Sequence, residues 1–206
     1  MQVFLHRANC FAQLYKARNL GIGIEVDIRT WEGIPLLSHD PIMMDEAQEC
    51  EDLETFLSVA AGYDMPVLLD FKETGIIDIV IDKIGPIYLH DRCLAIDLIT
   101  PDVYYAQSKR VKTLVRDSKY ETIKEYANIR SMYEHAGYWL DYTKTGEDLL
   151  HRHYSMSCYL VSPELHGWDL EDEYIETAVK GSYKAVCTDY PERWLEAING
   201  YNSSNS

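Results

Sequence analysis

Short apolar runs recur along this chain, and between most of them lie longer stretches whose apolar positions fall three and four apart. The first pattern is that of a strand buried on both faces; the second is that of a helix resting one face on a core. The runs predict strands near 2–5, 22–28, 66–71, 93–98, 111–115, 138–141, 156–162 and 185–188. The stretches between predict helical segments at 11–20, 53–61, 76–84, 101–108, 119–135, 147–153, 170–179 and 192–199. Strands that alternate with helices from end to end imply parallel pairing, and the closed form of that arrangement is a compact (β/α)8 TIM barrel with short loops. A chain of 206 residues suits one such domain, here over 1–200, with the Asn/Ser-rich residues 201–206 as a disordered tail.

Active sites of this architecture lie at the C-terminal ends of the strands. Ionisable residues stand at or just past those ends in almost every run: His6, then Glu25 and Asp27, Asp70 and Lys72, Asp97, Arg116, Asp141, Glu164 and His166, and Asp189. Side chains two apart on a strand share a face, so Glu25 points with Asp27, and Asp70 with Lys72. Two carboxylates on one face beside a third from another strand make an oxygen cage for a hard divalent cation, Mg2+ or Ca2+. Arg7 and Lys72 supply cations for a phosphate, and His6 and His39 supply imidazoles that move protons. This set points to metal-assisted cleavage of a small phosphodiester.

Composition narrows the partners. The net charge of -15 argues against nucleic acid or an anionic membrane surface. The apolar runs fall short of a membrane span, so no integral membrane association is expected. Met1 is followed almost at once by the first strand, with no basic leader, which makes a cytoplasmic location the expectation. The five cysteines are scattered and odd in number, without metal spacing, and read as reduced thiols.

The ordered motifs His6-Arg7, Glu25-Val26-Asp27, His39-Asp40, Asp70-Phe71-Lys72 and Thr188-Asp189-Tyr190-Pro191 resemble the glycerophosphodiester phosphodiesterase family, within the phospholipase C-like phosphodiesterases. The resemblance spans the chain but is dense only over the first 75 residues. It implies that His6 and His39 form the catalytic acid/base pair, that Glu25, Asp27 and Asp70 ligate the metal, and that Arg7 and Lys72 contact phosphate. It also implies attack by a neighbouring hydroxyl of the substrate, through a cyclic phosphate. Three departures mark a short, divergent bacterial-type branch. Ala8 stands where the family has Gly, Asp70 stands where it has Glu, and the segment between Asp40 and Leu53 is too short for the family's usual insertion. The stretch from Val161 to Trp168 adds Glu164, His166 and Trp168 as candidate substrate contacts.

Each group also has a plainer reading. His6 alone suits a satisfied core histidine. Glu25 and Asp27 suit salt bridges to Arg7 or Lys72, and Asp97, Arg116 and Asp141 suit ion pairs at a barrel mouth. At the level of the whole chain, the competing reading is a catalytically silent barrel module that binds metal or phosphate.

Overall fold

Alternate residues of each strand face two different cores, and that alternation builds the molecule. The computed structural model describes residues 1–85, 92–118, 137–141, 157–181 and 183–204. Its strands are β1 (Gln2–Leu5), β2 (Gly23–Trp31), β3 (Ile34–Leu37), β4 (Val67–Phe71), β5 (Cys93–Ile96), β6 (Leu114–Asp117), β7 (Gly137–Leu140), β8 (Cys158–Val161) and β9 (Ala185–Thr188). Its helices are α1 (Phe11–Leu20), α2 (Leu53–Gly62), α3 (Ile77–Ile84), α4 (Thr100–Ser108), α5 (Asp172–Lys180) and α6 (Pro191–Ser204), with a 3-10 turn at Pro163–His166. The strands run β5-β4-β2-β1-β9-β8-β7-β6, each neighbouring pair parallel. A single parallel bridge, Ala95 to Thr113, joins the two ends, so eight strands make a nearly closed barrel.

Val3, Leu5, Ile24, Val26, Val67 and Leu69 point outward into the larger core under the helices. Phe4, Leu68, Ile96, Leu114, Trp139 and Tyr159 point inward and fill the barrel floor. The Phe4 ring lies so close over β2 that a Cβ at Gly23 would stand 2.5 Å from it, which accounts for glycine there. The same inward parity carries Glu25 and Asp27, Asp70, Arg116 and Asp141 to the mouth, above an apolar floor.

The (β/α)8 expectation is met, with local differences. Strand β2 continues three residues past Ile28 and turns back antiparallel as β3. The two-residue turn has both φ angles positive, Glu32 at 50° and Gly33 at 76°, as a twisted hairpin requires. This hairpin, absent from the sequence reading, returns the chain to the mouth: Ser38 N–H donates to the Asp27 carbonyl at 3.1 Å. Strand β6 begins later than expected because residues 111–113 reach β5 only through the single bridge. Helix α6 runs to Ser204, so most of the expected tail is helical, with the Ser203 and Ser204 hydroxyls donating to carbonyls one turn back. The helical segments expected at 119–135 and 147–153 lie outside the described residues. All five cysteines are free thiols. Among the described residues no helix is long and apolar enough to cross a membrane.

Candidate active site at the barrel mouth

Asp27 and Asp70 face each other in register across β2 and β4, with Glu25 one inward position below Asp27. All three carboxylates are buried, with exposures of 1%, 0% and 5% for Glu25, Asp27 and Asp70. Each has one oxygen taken by a donor of the protein. Arg7 N–H donates to Glu25 Oε2 at 2.6 Å, Asn9 Nδ2 to Asp27 Oδ2 at 2.6 Å, and Lys72 Nζ to Asp70 Oδ2 at 2.5 Å. The other oxygen of each (Glu25 Oε1, Asp27 Oδ1 and Asp70 Oδ1) is buried without a hydrogen bond. Asp27 Oδ1 has the Lys72 ammonium at 3.0 Å as an ion pair.

One oxygen from each of the three carboxylates lies within 4.8 Å of the others. Three buried negative groups with one ammonium between them leave charge uncompensated, and burial of that kind is costly without a cation. The acidities register this. Burial, and then the charges of Asp27 and Asp70, push the Glu25 carboxyl well above its ordinary value. Burial and the nearby Asp97 push Asp70 up to about 7, although Lys72 pulls the other way. Burial works to lower the Lys72 ammonium, yet Asp70 and Asp27 hold it above its usual value. An oxygen-only, half-satisfied, electron-rich triad fits a hard divalent cation.

Two histidine–aspartate pairs flank the triad. His6 Nδ1 lies 2.8 Å from Asp189 Oδ1, at the ends of β1 and β9. The imidazole holds the Asp189 carboxyl below its usual range. His39 Nδ1 lies 2.9 Å from Asp40 Oδ1, and the Arg7 Nη2 lies 2.6 Å from His39 Nε2. A guanidinium only donates, so His39 Nε2 accepts and its proton sits on Nδ1, toward Asp40. Arg7 adopts a left-handed backbone, φ 48°, which aims its N–H at Glu25 while its side chain reaches His39. Arg29 Nε donates to the His39 carbonyl at 3.0 Å and fixes the end of the hairpin.

The opposite half of the mouth carries a second network. Arg116 donates through Nε to Asp141 Oδ2 at 2.9 Å and stands 3.2 Å from Asp97 Oδ1 through Nη1. His166 Nε2 lies 3.6 Å from Asp141 Oδ1, and Trp168 is exposed beyond it. Glu164 is engaged within the protein. Its carboxylate accepts from Ser162 Oγ at 2.5 Å, Thr188 Oγ1 at 2.5 Å and Asp189 N–H at 3.1 Å.

The structure thus brings His6, Arg7, Glu25, Asp27, His39, Asp70 and Lys72 to one side of the mouth. It sets His166 and Trp168 toward the other side, and Glu164 in the seam between β8 and β9. The sequence reading passed over Asn9 as a partner of Asp27 and Asp189 as a partner of His6. Asp189 lay inside the Thr188-Asp189-Tyr190-Pro191 motif, which was its signal; Asn9 had no signal beyond its closeness to His6.

No family model matches the chain, and no curated protein matches it in sequence. Solved structures do match. A glycerophosphodiester phosphodiesterase from Agrobacterium tumefaciens superposes with a TM-score of 0.68 at 12% identity, over 97% of this chain and 100% of that one. The chain shares its fold with glycerophosphodiester phosphodiesterases. A second Agrobacterium tumefaciens protein, provisionally called a glycerophosphoryl diester phosphodiesterase, gives a TM-score of 0.77 at 10% identity, over 98% of this chain and 99% of that one. An Oleispira antarctica phosphodiesterase, solved with the product sn-glycerol-3-phosphate, gives 0.67 at 17% identity, over 97% of both chains.

Proposed function

We propose that this barrel is a metal-dependent phosphodiesterase that cleaves a small phosphodiester, with His6 and His39 as general acid and base. The observation that carries the reading is the convergence of three buried carboxylates, with Glu25 Oε1 and Asp70 Oδ1 unbonded and Asp27 Oδ1 met only by the Lys72 ammonium, beside two aspartate-held imidazoles. The fold of the phosphodiesterases named above supports it.

Glu25, Asp27 and Asp70 would hold Mg2+ or Ca2+, which when bound supplies positive charge against the phosphoryl oxygens. Arg7 is the side chain best placed for a phosphate oxygen, since its guanidinium forms paired hydrogen bonds to such groups and reaches the mouth beside His39. Lys72, held by Asp70 and Asp27, adds a fixed positive charge next to the carboxylates. Asp189 keeps the His6 proton on Nδ1 and leaves Nε2 for the mouth; Asp40 keeps the His39 proton on Nδ1, and His39 Nε2 becomes the working nitrogen when Arg7 turns from it to the phosphate. One imidazole takes the proton from the attacking oxygen. The other delivers a proton to the departing alkoxide, which is too basic to leave bare. The attacking oxygen is a hydroxyl of the substrate next to the phosphate, giving a cyclic phosphate that water then opens.

Cleavage of glycerophosphocholine and glycerophosphoglycerol, diesters that carry a hydroxyl next to the phosphate and lose a basic alkoxide, with Mg2+, with Ca2+ and with EDTA tests this reading. Turnover should need metal and should fall by about 10²- to 10⁴-fold in His6→Ala and in His39→Ala. Metal binding without turnover across a broad panel of diesters would favour a silent metal- or phosphate-binding module.

A further inference from the structure

Strand β2 carries a third ionisable side chain on the face of Glu25 and Asp27, that of Arg29. It is 17% exposed, and its donors are directed at two points of the protein. Nε donates to the His39 carbonyl at 3.0 Å, and Nη1 forms an ion pair with Glu73 Oε1 at 3.5 Å. Glu73 is itself fixed. The β2–β4 pairing ends at Ile28 and Phe71. The Thr30 N–H points to the β4 side, as does that of Ile24, which reaches the Pro66 carbonyl, and it lies beyond the last strand acceptor. Glu73 Oε2 replaces that acceptor: it takes the Thr30 N–H at 3.1 Å and the Thr30 hydroxyl at 2.8 Å. The carboxylate thereby turns Oε1 toward Arg29.

His39 needs such a hold. It lies two residues past Leu37, the last residue of β3 to pair with β2, where the ladder no longer fixes the chain. Among the described residues, the bond from Arg29 is the one hydrogen bond to the His39 backbone. The imidazole depends on that backbone, because Nδ1 meets the next residue, Asp40, and Nε2 meets Arg7. A guanidinium is planar and donates in fixed directions, so Arg29 sets His39 relative to Glu73. Glu73 follows directly on Lys72, whose N–H donates to the Ile28 carbonyl and whose ammonium holds Asp70. The line Asp70, Lys72, Glu73, Arg29, His39 thus ties one imidazole to the carboxylate triad. The other use of an arginine at the mouth is contact with phosphate. Arg29 already commits Nε to a carbonyl and Nη1 to a carboxylate, whereas Arg7 donates to a neutral imidazole.

We infer that Arg29 is a positioning residue for His39, with Glu73 holding the guanidinium in place. The inference rests on the phosphodiesterase reading for its kinetics, and a spectroscopic measurement separates the two. In alkaline buffer, where imidazoles are neutral, the ring 15N signals of His39, assigned by their loss in His39→Ala, should show one tautomer with the proton on Nδ1. In Arg29→Met, folded by circular dichroism, they should move toward the average of both tautomers. With metal and glycerophosphoglycerol, Arg29→Met should lower kcat by about 10- to 100-fold and leave KM within about twofold, since the imidazole is misplaced and the phosphate contacts are not. Arg29→Lys keeps a donor for the carbonyl and should recover part of kcat. Glu73→Gln keeps an acceptor for Thr30 but no longer offers Arg29 a charge, and it should shift kcat and the His39 signals the same way by less; it carries the test if Arg29→Met does not fold. In the His39→Ala background, Arg29→Met should change residual turnover by less than about twofold, because its effect passes through the imidazole. A raised KM with kcat kept would make Arg29 a substrate contact and overturn the inference. Unaltered His39 signals in the folded variants overturn it too, as does a full Arg29→Met loss that persists without His39. Altered signals in Arg29→Met, together with no turnover of any diester by the unsubstituted protein, would keep the positioning role and overturn the phosphodiesterase reading instead.

Discussion

Asn9 and Asp27 hold each other through two hydrogen bonds. Asn9 Nδ2 donates to Asp27 Oδ2 at 2.6 Å, and the Asp27 backbone N–H donates to Asn9 Oδ1 at 2.9 Å. The backbone donor fixes which way the amide faces, so the carboxylate is presented with Oδ2 occupied and Oδ1 turned toward Lys72 and the other two carboxylates. Asn9 therefore orients a carboxylate that the proposed reading assigns to the metal. Asn9→Ala should weaken Mg2+ or Ca2+ binding by about 10- to 100-fold, the scale on which outer hydrogen bonds tune metal sites. Calorimetric titration checks this directly. Unchanged affinity with folded protein would remove Asn9 from the site.

The raised carboxyls set a pH dependence whose sign is fixed. Asp70 titrates near 7 in the fold against an ordinary 3.8, and Glu25 is raised as well. Between those values the folded state binds more protons than the unfolded chain, so stability without metal is greatest at low pH and is lost as pH rises through about 7. Asp189 and Asp40 are lowered instead, so both are already ionised above pH 5 and do not reverse the trend. In EDTA, Tm should fall from pH 5 to pH 8. Saturating Mg2+ or Ca2+ should raise Tm more at pH 8 than at pH 5, because metal binds the deprotonated carboxylates. At 100 times Kd the gain is about 2.7 kcal/mol, or roughly 5–10 °C for a chain of this size. A metal effect that shrinks toward pH 8 would contradict the assignment.

Much of this site was legible because strand geometry is so regular. Once residues 22–28 and 66–71 are strands, the spacing of two puts Glu25 with Asp27, and Asp70 with Lys72, on one face whatever the register; that this face is the inward one comes from the barrel's closure. Three-dimensional closure was less legible. His39 comes beside Arg7 only because β2 turns back through Glu32-Gly33, a hairpin signal weaker than Asn-Gly that lies past the polar Arg29-Thr30, where the strand pattern breaks off. The Asp189–His6 contact depends on β9 pairing with β1, 183 residues apart in the chain, and no local pattern encodes that distance. Glu164 looked like a free carboxylate at a strand end, and only its three donors reveal it as a tie between β8 and β9.

The Asp189–His6 pair yields its own expectation. Asp189→Asn removes a charged acceptor and offers an amide that can bond either tautomer of the imidazole. The wrong tautomer at His6 would present N–H where the lone pair is needed, or the reverse. Turnover of glycerophosphoglycerol, which carries a hydroxyl next to the phosphate, should fall by about 10- to 10³-fold, with metal affinity unchanged. A fall in metal affinity of the same size would show that Asp189 acts on the carboxylate triad and not on His6.

Glu164 separates a positioning role from substrate contact. The hydroxyls of Ser162 and Thr188 are both fully buried and both donate to its carboxylate. Ser162 Oγ in turn accepts from Trp194 Nε1 at 3.3 Å, which links the seam to α6. Glu164→Ala leaves two buried hydroxyls without their acceptor, at a cost of about 1–3 kcal/mol for each, while the exposed Asp189 N–H turns to water. Tm should drop by at least several degrees, and Asp189 should lose its hold on His6, lowering kcat. Glu164→Gln keeps an acceptor oxygen for one hydroxyl and should recover part of both losses. A pure substrate contact would behave differently: KM would rise in Glu164→Ala while Tm stayed put, and thermal melts beside steady-state kinetics on the two variants distinguish the cases.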